Sequence, residues 1–342
     1  MTDSLRSSST VPAASGRISR RGVLLGAAAG ALCVPWAASR AAAVAGGRPV
    51  TLVVSYPAGG GADLMARVIA PRMAEALGRS VVVDNRPGAS GQIAGTFVAR
   101  AAPDGTTLLV DASSFAVNPS LYPKMAYDIQ KSFTPLAVLA TFPNVLVCSA
   151  GFPARSVQDV VRMARERPGG IAYASSGNGS AQHLAGALFE QRAGVKLSHV
   201  PYRGGGPAMN DVMGGQVPLF FANVASSLGH IQSGRLRALA VTAPVRARSL
   251  PTVPTMAEVG VPQYEVLEWN PVLAPAGLPA DTREALVGAL RKSLADAEVL
   301  ARVRALGGDV FPDASQASAG KFIQAQQAQW ARVVRERGIS VG

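Results

Sequence analysis

Histidine and cysteine are scarce: three and two in 342 residues. His183, His199 and His230 lie far apart, with no His-x-x-x-His or Glu-x-x-His spacing, so no metal centre is expected. Cys33 falls in an N-terminal segment expected to be removed, which leaves Cys148 alone and excludes an intramolecular disulfide. The Gly-x-Ser-x-Gly elbow of serine hydrolases is missing; Gly88-Ala89-Ser90-Gly91-Gln92 lacks the last glycine. Past the N-terminus, no uncharged apolar run approaches the roughly 20 residues needed to span a bilayer. Acidic residues are outnumbered 21 to 33, for a net charge of +12. The basic residues are not interleaved with aromatics as in a nucleic-acid-binding stripe. They are expected to form a solvated surface that also steers an anionic ligand, and no nucleic-acid partner is expected.

Glycine is plentiful, 36 residues, and two glycine-rich loops stand out. Tyr56-Pro57-Ala58-Gly59-Gly60-Gly61-Ala62-Asp63 follows the strand-like run Val50 to Ser55 and opens a helical pattern over Leu64 to Leu77. Ser175-Ser176-Gly177-Asn178-Gly179-Ser180 follows Ile171 to Ala174 and opens a helix over Ala181 to Gln191. The first N–H groups of a helix have no partner within it and carry partial positive charge, so each loop is a cradle for a carboxylate or phosphate. Nucleotide signatures fail in both. Gln182 takes the third glycine position of a dinucleotide loop, and Ala62-Asp63-Leu64 replaces the Gly-Lys-Ser/Thr end of a P-loop. A small carboxylate gripped from two sides is the simpler guest, and no cofactor is expected.

Strand-like and helical segments alternate from Val50 onward, the pattern of βα units around a mostly parallel sheet. Leu136–Ala140 and Asn144–Cys148 read as separate strands, Ser156 as the cap of a helix over Val157–Arg167, and Asp281–Leu306 as one amphipathic helix. Chain crossings near Cys148–Pro153 and Glu265–Pro271 divide residues 46–149 plus 270–342 from an inserted domain, 150–269. Residues 1–45 have the form of an export signal: a basic stretch with Arg17, Arg20 and Arg21, an apolar stretch Gly22 to Ala38, and Ala41-Ala42-Ala43 as a cleavage site. Ser19-Arg20-Arg21-Gly22-Val23-Leu24-Leu25 fits either a twin-arginine or a general secretion route. Removing this segment leaves 28 basic and 20 acidic residues.

Several stretches resemble one family. Tyr56 to Arg67, Val83-Asp84-Asn85-Arg86-Pro87-Gly88-Ala89-Ser90-Gly91, Ala102 to Leu108, Ser176-Gly177-Asn178-Gly179-Ser180-x-x-His183, His199-Val200-Pro201-Tyr202-Arg203-Gly204 and Leu250 to Glu258 together resemble the Bug-type solute receptors. These are the periplasmic binding proteins of tripartite tricarboxylate transporters. The resemblance implies an α/β, two-domain type II periplasmic-binding-protein fold with a hinge and an interdomain cleft. It further implies a monomeric receptor in the periplasm, not an enzyme, that passes a small carboxylate to membrane transporter subunits. Carried over, one wall of the cleft would be Tyr56, Pro57, Ala58, Gly59, Gly60 and Asp63, with Ser113 and Ser114. The other would be Ser176, Gly177, Asn178, Gly179, Ser180 and His183, with Tyr202, Arg203 and Gly204.

Each assignment has a plainer rival. Tyr56 can be a packed strand end, Asp63 a helix cap, and Arg203 a surface ion-pair partner; Arg86 more simply braces its own turn. Family members usually carry an acid near the end of Val217–Phe221, where this chain has Ala222, and their Trp-x-Gly pattern here reads Trp269-Asn270-Pro271. Loss of that acid would favour a plain carboxylate over an amino acid, whose ammonium loses a partner. The alternatives are a receptor for an amino acid or aromatic carboxylate, a ligand sensor serving a signalling partner, and a hydrolase or isomerase built on Asp63 and His183.

Overall fold

The computed structural model describes residues 47–339; the expected export signal at 1–45 lies outside the described residues. β1 (Val50–Val54), β2 (Val81–Asn85) and β3 (Thr107–Val110) alternate with α1 (Gly61–Leu77), α2 (Gln92–Ala99) and α3 (Ser114–Leu121). The long β4 (Phe133–Ser149) leads to α4 (Val157–Glu166), β5 (Ala172–Ser175), α5 (Ala181–Ala193), β6 (Ser198–Pro201), α6 (Gly205–Met213), β7 (Leu219–Asn223), α7 (Val224–Gln232) and β8 (Leu236–Val241). β9 (Leu267–Pro275), α8 (Ala280–Ala295), α9 (Ala297–Ala305), β10 (Asp309–Val310) and α10 (Gln316–Arg337) complete the chain.

The strands run in the order β2-β1-β3-β9-β4-β7-β5-β6, with β8 and β10 also paired to β4. β1 pairs in parallel with β2 and β3, and β5 in parallel with β6 and β7. β4 joins the two halves of this α/β, two-domain fold. Its residues Phe133 to Pro143 pair antiparallel with β9; from Asn144 to Ser149 it pairs with β7 and β8 instead. The sequence predicts two short strands here, but the apolar run continues through Pro143. Proline cannot donate to a ladder, so it is tolerated where the strand changes partners. The chain returns at Leu267, opposite Pro143.

One core gathers Leu52, Val54, Ile69, Met73, Leu136 and Leu290; another gathers Leu146, Tyr173, Leu184, Phe189 and Phe221. Each fully buried side chain of this size stabilises the fold by roughly 1.5–3 kcal/mol. α10 contributes to more than one core. Ala319 and Ile323 pack with Phe115 and Trp269, whereas Trp330 and Val334 belong with Leu146 and Phe189.

Local signals behave as the chemistry requires. Ser156 accepts the Asp159 N–H at 3.1 Å while Asp159 accepts the Ser156 N–H at 3.1 Å, a reciprocal cap that starts α4. The single helix expected over 281–306 is broken at Asp296. That residue is extended (φ −65°, ψ 133°), and its carboxylate accepts the N–H groups of Glu298 and Val299, so it caps a new helix.

Candidate functional site

The first loop leaves the buried end of β1 and turns into α1. Asp63, in the first turn, holds that turn together. Its Oδ2 accepts the Gly59 N–H at 2.9 Å, Arg67 reaches both oxygens, and Asn85 Nδ2 donates to Oδ1 at 2.9 Å and to the Tyr56 carbonyl at 3.0 Å. Burial pushes the Asp63 carboxyl up, but the bonds from Arg67, Gly59 and Asn85 outweigh it and hold it below its ordinary value. Tyr56 is buried, and its hydroxyl donates to Ser114 Oγ at 2.9 Å.

The second loop is braced from its own helix. Gly177 and Gly179 have φ of +133° and +74°, conformations that glycine adopts without strain. The Gly179 N–H donates to His183 Nδ1 at 3.0 Å, and Ser180 caps α5 by accepting the His183 N–H. The His183 ring stacks on His199 at 3.9 Å, and His199 Nε2 meets Ser175 Oγ at 2.7 Å. Burial depresses His183 to about 4, so the ring is neutral, accepting at Nδ1 and carrying its proton on Nε2.

The two loops face each other. A Cβ on Gly204 would lie 2.6 Å from Pro57, so the walls touch there through the missing side chain. Ser90 Oγ donates to the Asn178 carbonyl at 2.6 Å, and Asn118 Nδ2 donates to the Ser90 carbonyl at 2.8 Å. Ala89 and Ser90 both hold positive φ, 47° and 53°, a strained pair that carries the hydroxyl across the gap. Two adjoining hollows lie between the walls, both lined by Tyr56 and Ser176. The mouth, about 220 Å³, adds Pro57, Gly177, Asn178, Tyr202, Arg203 and Gly204. The floor, about 30 Å³, adds Gly60, Gly61, Gln182, Asn223 and Glu268.

The expected residues therefore divide. Tyr56, Pro57, Gly60, Ser176, Gly177, Asn178, Tyr202, Arg203 and Gly204 line the hollows. Asp63, Gly179, Ser180 and His183 stand behind and shape the loops, while Ser113 and Ser114 hold Glu268 and Tyr56 from the next strand end. Ala58 and Gly59 are exposed and line neither hollow. Tyr202 donates to Asp211 at 2.7 Å, and Arg203 is exposed at the mouth. Asp63 and His183 are each engaged elsewhere and do not form the pair that a hydrolase would need.

Sequence reasoning missed Glu268, Asn223, Gln182 and Ser90. Glu268 and Asn223 flank the point where β4 changes partners, opposite Phe142 and Asn144. A charged residue inside the second expected crossing was the signal for Glu268; Asn223 lies in neither crossing and carried no such signal. Among the described residues, no cluster of three or more His, Cys, Asp or Glu side chains is placed to hold a metal ion. No described helix is long and apolar enough to cross a membrane.

The family model described as "Tripartite tricarboxylate transporter family receptor" matches residues 65–339. The chain belongs to this family. The receptor is 36% identical over 296 residues to Protein BugT of Bordetella pertussis, covering 86% of this chain and 90% of BugT. The solved structure of the periplasmic binding protein BugD superposes with a TM-score of 0.83 at 35% identity, covering 86% of this chain and 100% of BugD. Rpa4515 of R. palustris, solved with adipate, gives 0.83 at 36% identity, covering 86% and 99%. MatC of Rhodopseudomonas palustris, solved with bound malate, gives 0.80 at 31% identity, covering 84% and 99%. The family is one of transporter receptors, and BugD is a periplasmic binding protein; the receptor is not an enzyme.

Proposed function

We propose that this receptor captures a small dicarboxylate in the periplasm and presents it to the membrane subunits of a tripartite tricarboxylate transporter. The observation that carries the reading is the pair of glycine loops meeting over shared hollows, each at the N-terminus of a helix. N–H groups and helix dipoles there favour an anion without a fixed side-chain charge, and each charge-assisted bond is worth roughly 1.5–3 kcal/mol. The adipate and malate held by relatives of similar fold support the same class. We assign the hinge to Pro143–Asn144 and Val266–Leu267, each a few residues before the expected domain limit, and residues 1–45 to an export signal. Ligand would stabilise closure by bridging the two walls.

Isothermal calorimetry with dicarboxylates of malate to adipate length tests the reading. Gly177→Val forces a β-branched residue to a φ of +133° beside Ser90 and the Tyr202 carbonyl. Binding is expected to weaken at least about tenfold, or about 1.4 kcal/mol, with an unchanged circular dichroism spectrum. Unchanged affinity would remove the second loop from the site.

A further inference from the structure

The floor of the cleft holds an acid with no cation beside it. Glu268 is 5% exposed. Its Oε1 accepts the Ser113 N–H at 3.3 Å and the Ser113 hydroxyl at 3.4 Å, and its Oε2 accepts Gln182 Nε2 at 3.2 Å. All three donors are neutral. The titratable groups that bear on it are Asp111 just past β3 and Tyr56 just past β1, neither of them a cation. From α5 it meets Gln182, with His183 turned to Gly179 and His199; β4 and β7 bring only the amides Asn144 and Asn223. None of the ion pairs among the described residues includes Glu268 or Asp111.

A second polar side chain lines the same hollow. Asn223 is also 5% exposed; its Oδ1 accepts the Ala225 N–H at 2.8 Å, whereas its Nδ2 has no partner. That Nδ2 lies 2.9 Å from where a Cβ on Gly61 would stand, against the N-terminus of α1. The hollow is thus lined by an amide whose donor is unpartnered, by the N-terminal residues of α1, and by a carboxyl. An ammonium there would face the donors of Asn223 and α1. An anion suits them, provided the Glu268 carboxyl carries a proton.

We propose that Glu268 meets the ligand as a neutral acid, donating its O–H to a ligand carboxylate that also accepts from Asn223 Nδ2. The ligand class is then a plain or hydroxylated dicarboxylate rather than an amino acid. The proposal rests on the carboxylate reading above and deepens it. Burial, with Asp111 adding to it, pushes the Glu268 carboxyl up to about 7, so the proton is available near neutrality. An incoming anion raises that value further, and above it binding draws one proton from solvent.

Calorimetry of the wild type with malate, adipate, aspartate and glutamate, each in two buffers of different ionisation enthalpy, counts that proton directly. Malate or adipate is expected to bind with uptake approaching one proton above about pH 8, and to weaken by up to about tenfold per further pH unit. Glu268→Gln, which cannot take up a proton in this range, should lose both the uptake and the pH slope, whatever affinity it shows near pH 6. Binding of aspartate or glutamate without malate or adipate overturns the proposal, as does dicarboxylate binding with no proton uptake. A variant as pH-sensitive as the wild type overturns it too. If the wild type binds none of the four, the carboxylate reading itself fails and the proposal falls with it. The wild-type proton count stands even if the variant does not fold.

Discussion

Asp63 would put a negative charge beside a proposed anion site, were its charge not consumed locally. Arg67, one helical turn on, neutralises it, and the remaining lone pairs fix Gly59 and Asn85. The carboxylate therefore shapes the loop, while the helix end in front of it remains available to an anion. Asp63→Ala should leave the Gly59 N–H without its acceptor and the Asn85 amide with the Tyr56 carbonyl alone, and cost about 1–3 kcal/mol in denaturant unfolding, with Asp63→Asn losing less. Equal stability of Asp63→Ala and wild type would mean that water replaces the carboxylate at no cost. Asp63 and His183 were singled out in the sequence by their place after the glycine loops, but as wall residues; that each instead braces its own loop, through Gly59 and Gly179, depends on backbone geometry that spacing alone does not give. Glu268 was not singled out. Its importance comes from Ser113 and Gln182, 155 and 86 positions away, which only the strand pairing brings to it. The absence of an acid at Ala222 was readable; the acid that enters the floor from the second crossing was not.

At the scale of elements, the two loops are braced by different chemistry. The first is tied by an ion pair, the second by a histidine stacked on a histidine. Burial lowers His183 to about 4, and burial together with His183 lowers His199 to about 3. Both folded values lie below the unfolded value of about 6.5, so the stability these neutral rings supply is complete above that pH. It is lost as pH falls from about 6.5 through about 4 to 3, where protonation opposes the stack and removes the acceptor for the Gly179 N–H. The unfolding midpoint is therefore expected to fall with acid more steeply in the wild type than in His199→Phe. Parallel pH profiles for the two would show that other groups govern the acid limb. The strand–loop–helix units themselves were visible as alternating patterns, since their periodicity is local. The fusion of two runs into β4 and the break at Asp296 were not, because each is decided by partners: the shared neighbours of β4, and the N–H groups that Asp296 caps.

For the molecule as a whole, the proposed mechanism requires two walls that meet only when the lobes come together. The contact of Pro57 with Gly204 is the sharpest test of that requirement. Gly204 combines a φ of +119° with a Cβ direction that runs into the proline ring, whereas a Cβ on its neighbour Gly205 would meet nothing within 4 Å. Gly204→Val should therefore hold the walls apart while leaving both cores intact, and Gly206→Ala, whose Cβ likewise meets nothing within 4 Å and which lines neither hollow, serves as the control. A ligand shifts a two-state equilibrium only by its difference in affinity for the two states. A side chain that penalises the closed state consequently lowers apparent affinity even where it touches no ligand. Small-angle scattering with saturating malate or adipate is expected to show compaction of the control but not of Gly204→Val, whose affinity falls at least about tenfold. Full compaction and undiminished affinity in Gly204→Val would mean that ligand is held without the walls meeting. The N-termini of α1 and α5 would then have to act singly rather than as a clamp.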